Sequence, residues 1–279
     1  YNPLRLLASH YHDRAAAKAA IGEIEAQLGE LPADAAPLQD APLGGHSHAM
    51  GLQLVGVSLR TPDSNRIILD RAELTIMPGE HVAVIGPSGT GKSTLLEAVA
   101  RLRQAEGPIL LDQRPLADWP EGELRSRMTM LGQKPRIFAA SLAQNIALAR
   151  PGSTPAEISR AAELAHVSEF ADSLPKGLET MLGEGGLGVS GGQAQRIALA
   201  RIYLRDAGLI LLDEPTAHMD AALEQAVMDD LQRYARGRTL LIATHSLAVA
   251  ARMDRAWQIA GQALVPAPLL PLHQMGEQA

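Results

Sequence analysis

Apolar and polar positions along this chain fall into three textures. Two runs, Leu52–Leu59 and Arg66–Ile76, alternate loosely, with Leu52, Leu54 and Val57 marking the apolar face of the first. That pattern predicts half-buried strands in a small antiparallel sheet. Three shorter runs, His81–Ile85, Leu209–Leu212 and Thr239–Ala243, are almost continuously apolar. Such runs suit strands buried on both faces of a parallel sheet. Between them Pro155–Phe170 and Gly192–Leu204 read as helices, and strand–helix alternation gives an α/β fold. Pro78-Gly79-Glu80 reads as a turn.

The ends differ in texture. From about Pro3 to Leu28 the chain is rich in Ala, Leu, Glu, Lys and Arg, which predicts one helix with Pro3 near its start. Gly29–Gly51 shifts to Pro, Ala, Gly, Asp and His and reads as a linker. The tail after Ala260 carries Pro and Leu without usable periodicity, and no internal repeat stands out.

Composition narrows the function. The 279 residues suffice for one sizeable domain plus extensions, and 46% of them are apolar, enough to bury a core. A net charge of −6 argues against a nucleic-acid partner, which calls for a basic face. It does not argue against a nucleotide, whose charge is met locally. The absence of cysteine excludes disulfides, thiolate metal sites and a Cys nucleophile, and fits a reducing compartment. No apolar run approaches the ~18 residues that cross a bilayer. The start, Tyr1-Asn2-Pro3-Leu4-Arg5, has neither a signal-peptide layout nor an initiating Met, so a fragment of a longer chain is expected.

The chemistry begins at Gly86-Pro87-Ser88-Gly89-Thr90-Gly91-Lys92-Ser93-Thr94, which matches G-x-x-x-x-G-K-[ST] after an apolar strand and before a helical run. The glycines let successive N–H groups converge on phosphates, and a helix N-terminus adds its positive end. Lys92 places a charge between the β- and γ-phosphates, and Ser93 offers a hydroxyl to Mg²⁺. A second apolar strand ends in Asp213-Glu214, so its carboxylates arrive at the strand ends where α/β sheets bind ligands. Asp213 is expected to hold Mg²⁺ and its water shell. Glu214 is expected to orient and deprotonate the attacking water. His245 closes the next apolar run, within reach of a γ-phosphate.

Val189-Ser190-Gly191-Gly192-Gln193-Ala194-Gln195-Arg196 is a second Gly-rich turn opening a helix, with Ser190 at the cap: another anion site. Ile197, Ala200 and Leu204 fall on one face of that helix. Here the chain resembles the ABC ATPases, whose signature motif is this SGGQ turn. The motif order matches: the phosphate loop at Gly86–Thr94, a Q-loop glutamine at Gln133, the signature at Ser190–Gln193, the carboxylate strand at Asp213–Glu214, a D-loop at Ala217–Asp220 and a switch histidine, His245. The likeness covers roughly 51–260.

The resemblance implies a P-loop NTPase core of ABC ATPase type, with a small antiparallel β subdomain and an inserted helical subdomain at about 134–200. The ATP-binding domain would span 51–265, after the end of a membrane-domain helix plus linker at 1–50 and before a tail at 266–279. It implies ATP and Mg²⁺ as ligands, with catalysis by Glu214, His245 and Gln133. Ser93, Gln133 and Asp213 would serve the metal; Ser190, Gly191, Gly192 and Gln193 would bind the nucleotide of a facing subunit, with Ser190 and Gly192 on its γ-phosphate. Asp220 would help join the two sites, and Gln133 would couple to the membrane part.

Phe138–Ile146 and Leu182-Gly183-Glu184-Gly185-Gly186 resemble segments of exporters, the second being their X-loop. A finer likeness is to CydD-type subunits of the CydDC thiol (glutathione or cysteine) exporters needed for cytochrome bd assembly. It rests on Tyr1–Arg5 with Tyr11-His12, on His166-Val167-Ser168-Glu169-Phe170, and on Gly191–Arg196. It implies a CydC-like partner subunit, or self-pairing in isolation, at the cytoplasmic face of a bacterial inner membrane. Other readings are an exporter of lipid, drug or peptide, and a soluble ABC ATPase. A nucleotide-binding regulator without turnover is opposed by intact Lys92, Asp213, Glu214 and His245.

Two departures stand out. Val57-Ser58-Leu59-Arg60-Thr61-Pro62 places Thr61 where these proteins stack adenine on an aromatic. Losing a contact worth about 1–3 kcal/mol predicts modest discrimination between ATP and GTP. The D-loop reads Ala217-His218-Met219-Asp220 rather than ending in Ala-Leu-Asp.

Overall fold

The computed structural model describes residues 48–61, 66–183 and 188–268. The expected helix at Pro3–Leu28, most of the linker, the last three residues of the Leu182–Gly186 segment and the end of the tail lie outside the described residues.

The three near-continuous apolar runs become neighbouring parallel strands. The six-stranded sheet has the order β10-β9-β3-β8-β7-β6. Its strands are β3 (His81–Ile85), β6 (Met128–Leu131), β7 (Leu209–Asp213), β8 (Thr239–Thr244), β9 (Arg255–Ala260) and β10 (Ala263–Ala267). β3 lies between β8 and β9, parallel to both, and β7 lies between β6 and β8. β10 alone runs antiparallel, against β9. Along β7 the side chains alternate between two cores. Leu209 and Leu211 pack on one face of the sheet and Ile210 and Leu212 on the other, all fully buried. Period-two alternation with apolar residues at every position is what a strand covered on both faces requires.

The loosely alternating runs form a four-stranded sheet, β2-β1-β4-β5, antiparallel throughout. It comprises β1 (Leu52–Arg60), β2 (Ile67–Ile76), β4 (Ile109–Leu111) and β5 (Arg114–Pro115). The looseness has a structural cause. The pairing shifts between Leu54 and Val57, around Gly56 with φ 60°, so Leu54 and Val57 face the core despite their odd spacing. This sheet shares a core with α1 (Lys92–Val99) and one face of the six-stranded sheet.

On the opposite face pack α3 (Leu142–Ala147), α4 (Pro155–Leu164), α5 (Val167–Ala171), α6 (Gly191–Arg205) and α7 (Ala221–Ala235). Two shorter helices, α2 (Glu121–Arg127) and α8 (Leu247–Ala250), complete the described set. The single helix expected over Pro155–Phe170 is two. α4 starts at a Thr154/Glu157 capping box and ends at Leu164, and His166 turns left-handed (φ 56°) before α5. The His166 ring is held by Glu169 Oε1 at 2.7 Å and by Asp230 Oδ2 on α7 at 2.9 Å, which fixes the break. α6 buries more than the expected face: Ala198, Leu199, Ile202 and Tyr203 are buried along with Ile197, Ala200 and Leu204. Among the described residues no helix is long and apolar enough to cross a membrane.

Candidate functional site

A cleft of about 670 Å³ opens where β3, β7 and β6 end beside β2. Its floor is the loop Gly86–Gly91, which links β3 to α1. Gly91 caps α1 with φ 104°, and a Cβ there would lie 2.0 Å from Ile68 Cγ2, so glycine is what lets the loop pass beneath β2. Ser88 to Thr94 all line the cleft. Lys92 is only 6% exposed. Its Nζ donates to the carbonyls of Gly86 (2.7 Å) and Pro87 (3.1 Å) and stands 3.9 Å from Glu214 Oε1.

β7 delivers Asp213 and Glu214 opposite the loop. Burial pushes the Asp213 carboxyl up from its ordinary value, and Glu214 adds to the rise, while a hydrogen bond from Ser93 and the charge of Lys92 oppose it. Glu214 is 8% exposed and left-handed, with φ 49°. Its carboxylate accepts from Thr244 Oγ1 at 3.2 Å and pairs with His245 Nδ1 at 2.8 Å. Its main chain is pinned as well: its N–H donates to Ala243 O, and its carbonyl accepts from Ala217 N–H and from Gln195 Nε2 at 2.9 Å. Gln195, named in the sequence only as part of the Val189–Arg196 segment and given no role there, is buried on α6.

The residues assigned to nucleotide and metal divide into two places. Gly86 and Pro87 accept from Lys92 at the floor of the cleft, and Ser88, Gly89, Thr90, Gly91, Lys92, Ser93, Thr94, Gln133, Asp213 and Glu214 line it. His245 touches Glu214 from the rim and is 67% exposed. Ser190, Gly191, Gly192 and Gln193 are not among the lining residues. They open α6, where Ser190 Oγ accepts from Gln193 N–H and Gln193 Oε1 accepts from Ser190 N–H. Their neighbour is the D-loop: a Cβ on Gly192 would meet His218 O at 2.7 Å. Asp220 caps α7 through Leu223 N–H. The far wall of the cleft holds Thr61, Arg66, Ile67 and Ile68, with Ile259, Gly261 and Gln262 from the β9–β10 hairpin. Apart from Thr61, these wall residues escaped the sequence reading because no local pattern marks them.

The donor set fits a hard divalent cation. Asp213 Oδ1 is buried without a hydrogen-bond partner, Ser93 hydrogen-bonds the same carboxylate, and Gln133 lines the same cleft. Among the described residues no cluster of three or more His, Cys, Asp or Glu could hold a metal alone. Mg²⁺ is the ion bound through one or two carboxylates that completes its shell with phosphate and water.

Known proteins share this architecture. The family model described as ABC transporter matches residues 69–217. An ATP-dependent lipid A-core flippase of Alkalilimnicola ehrlichii is 41% identical over 203 residues, covering 71% of this chain and 34% of its own. The Bacillus subtilis protein described as uncharacterized ABC transporter ATP-binding protein YwjA is 38% identical over 194 residues, covering 69% and 34% respectively. The chain thus spans about a third of the length of these relatives. A solved bacterial Atm1-family ABC exporter with ATP bound superposes with a TM-score of 0.78 at 28% identity, covering 99% of this chain and 48% of that one. The chain belongs to the ABC transporter family and carries its ATP-binding and ATP-hydrolysing domain, which uses ATP with Mg²⁺.

Proposed function

We propose that this chain hydrolyses ATP within a head-to-tail pair of such domains and that the cycle drives export through a membrane domain. One observation carries the pairing. Lys92, Asp213, Glu214 and His245 converge on one cleft, whereas the Ser190 turn, a second anion-binding helix start, stands outside it against His218. In a head-to-tail pair that turn faces the γ-phosphate held by the neighbour.

Within the cleft, loop N–H groups and Lys92 hold the phosphates. The Glu214 carboxylate takes a proton from the attacking water, while Thr244 and His245 hold it in place. When bound, Mg²⁺ neutralises charge on the phosphoryl oxygens, and Ser93, Asp213 and Gln133 would hold it. The site assignments and the subdomain limits, 51–265 with helices at about 134–200, are part of this proposal.

The membrane partner has a candidate seat. A cavity of about 520 Å³ near the Q-loop is lined by Met128, Met130, Phe138, Leu148 and Ile202, with Lys134 and Arg136. Phe138 and Leu148 are exposed there, as docking surfaces for a partner segment are. The finer reading is a CydD-like subunit of a thiol exporter at the cytoplasmic face of a bacterial inner membrane, paired with a CydC-like subunit. The segments Tyr1–Arg5 and His166–Phe170 support it. The relatives named lipid A-core flippases favour a second reading, lipid export.

The test is Glu214→Gln. Steady phosphate release should fall by roughly 10²–10⁴, the worth of a positioned base, while Mg-ATP still brings two chains together on gel filtration. Turnover like the unsubstituted protein's would remove Glu214 from the role of base.

A further inference from the structure

We infer that Arg66 is the platform on which the nucleobase stacks, taking the part that Thr61 cannot play; the inference rests on the ATP-site reading above. The triphosphate end of the cleft is fixed by Lys92 and the two carboxylates, so the base must lie against the opposite wall. That wall is the open end of the β1–β2 hairpin. Thr61 N–H donates to Arg66 O at 2.9 Å, and Arg66 N–H donates to Thr61 Oγ1 at 3.1 Å, so the two residues stand side by side. Thr61 occupies the place of a ring but has no π-face to offer.

The lining of the cleft shows where Arg66 lies. Ile68, two residues further on, presses its Cγ2 against Gly91 of the phosphate loop. Arg66 immediately precedes β2 and lines the cleft together with Ile67 and Ile68. Arg66 lines the cleft and is exposed, and among the described residues its guanidinium makes no hydrogen bond or ion pair. A planar, weakly hydrated cation of this kind stacks on the π-face of a base. Stacking reads the face and not the edge, so the platform serves adenine and guanine alike.

Binding of Mg-ATP, Mg-GTP and inorganic tripolyphosphate to the full chain separates the possibilities. Arg66→Ala should raise Kd for both nucleotides roughly three- to fivefold, the size of an exposed cation–π contact, and leave tripolyphosphate binding unchanged. Arg66→Lys keeps the charge without the plane and should behave like Arg66→Ala. Wild-type nucleotide affinity in Arg66→Lys, or an equal loss for tripolyphosphate in Arg66→Ala, overturns the inference in favour of simple charge attraction. If the unsubstituted chain binds no nucleotide, the ATP-site reading fails instead.

Discussion

Glu214 is the residue on which the most constraints converge. A non-glycine side chain in the left-handed region costs roughly 1–2 kcal/mol, and persists where neighbours over-determine it. Three backbone-directed hydrogen bonds do so, and one comes from the buried side chain of Gln195. Gln195→Leu fills a similar volume but withdraws that donor, so the Glu214 carbonyl turns and its carboxylate shifts. The expected result is a fall in kcat of roughly 10- to 100-fold, with ATP affinity changed far less, because small misplacements of a catalytic group are costly. Phosphate release and nucleotide titration check this, and an unchanged kcat contradicts it. The difference in legibility between these residues is physical. Lys92, Asp213 and Glu214 were readable because their chemistry is written in contiguous motifs. Gln195 and Arg66 act through contacts 19 residues away and across a hairpin, and nothing in their sequence neighbourhoods records those partners.

At the scale of elements, turns decide what the site can do. The apolar periodicity of 155–170 runs on through His166, so the pattern hides the break between α4 and α5. Of the two carboxylates that hold the His166 ring, Glu169 is local, but Asp230 comes from α7 and is a tertiary partner. The start of α6, by contrast, was legible in its capping chemistry, and Ser190 and Gln193 satisfy each other as that chemistry requires. What the cap did not reveal is how tightly the turn is packed. Gly192 has no room for a Cβ because the His218 carbonyl, part of the left-handed D-loop backbone (φ 64°), would sit 2.7 Å away. At Gly191 the obstacle is the His218 ring at 3.2 Å, which can rotate. Gly192→Ala should therefore destabilise the fold by about 1–3 kcal/mol, an overpacking cost, and Gly191→Ala by clearly less. Thermal or denaturant unfolding of the two variants compares them; equal midpoints would show that the D-loop yields.

For the whole molecule, the parallel centre of the six-stranded sheet was legible, because β3, β7 and β8 are apolar at nearly every position. The places of β9 and β10 were not. β9 buries only Ala256 and Ile259 and β10 only Leu264, too few apolar positions to mark strands; β10 falls where the composition reads as tail, and the pairing of β9 with β3 and of β10 with β9 defines them. The separation of the Ser190 turn from the Lys92 cleft is likewise a property of the folded molecule, and it gives the central claim, that a complete site takes its parts from two chains. Complementation tests it most directly. Lys92→Ala disables the cleft. Ser190→Asp keeps α6 capped but sets a negative charge toward the phosphates. Each variant alone should hydrolyse ATP only feebly. Mixed in equal amounts, half the pairs join unlike chains, and each such pair holds one intact site, so hydrolysis should return to roughly a quarter of the unsubstituted rate. A mixture no more active than its components, or full activity in Ser190→Asp alone, contradicts the account.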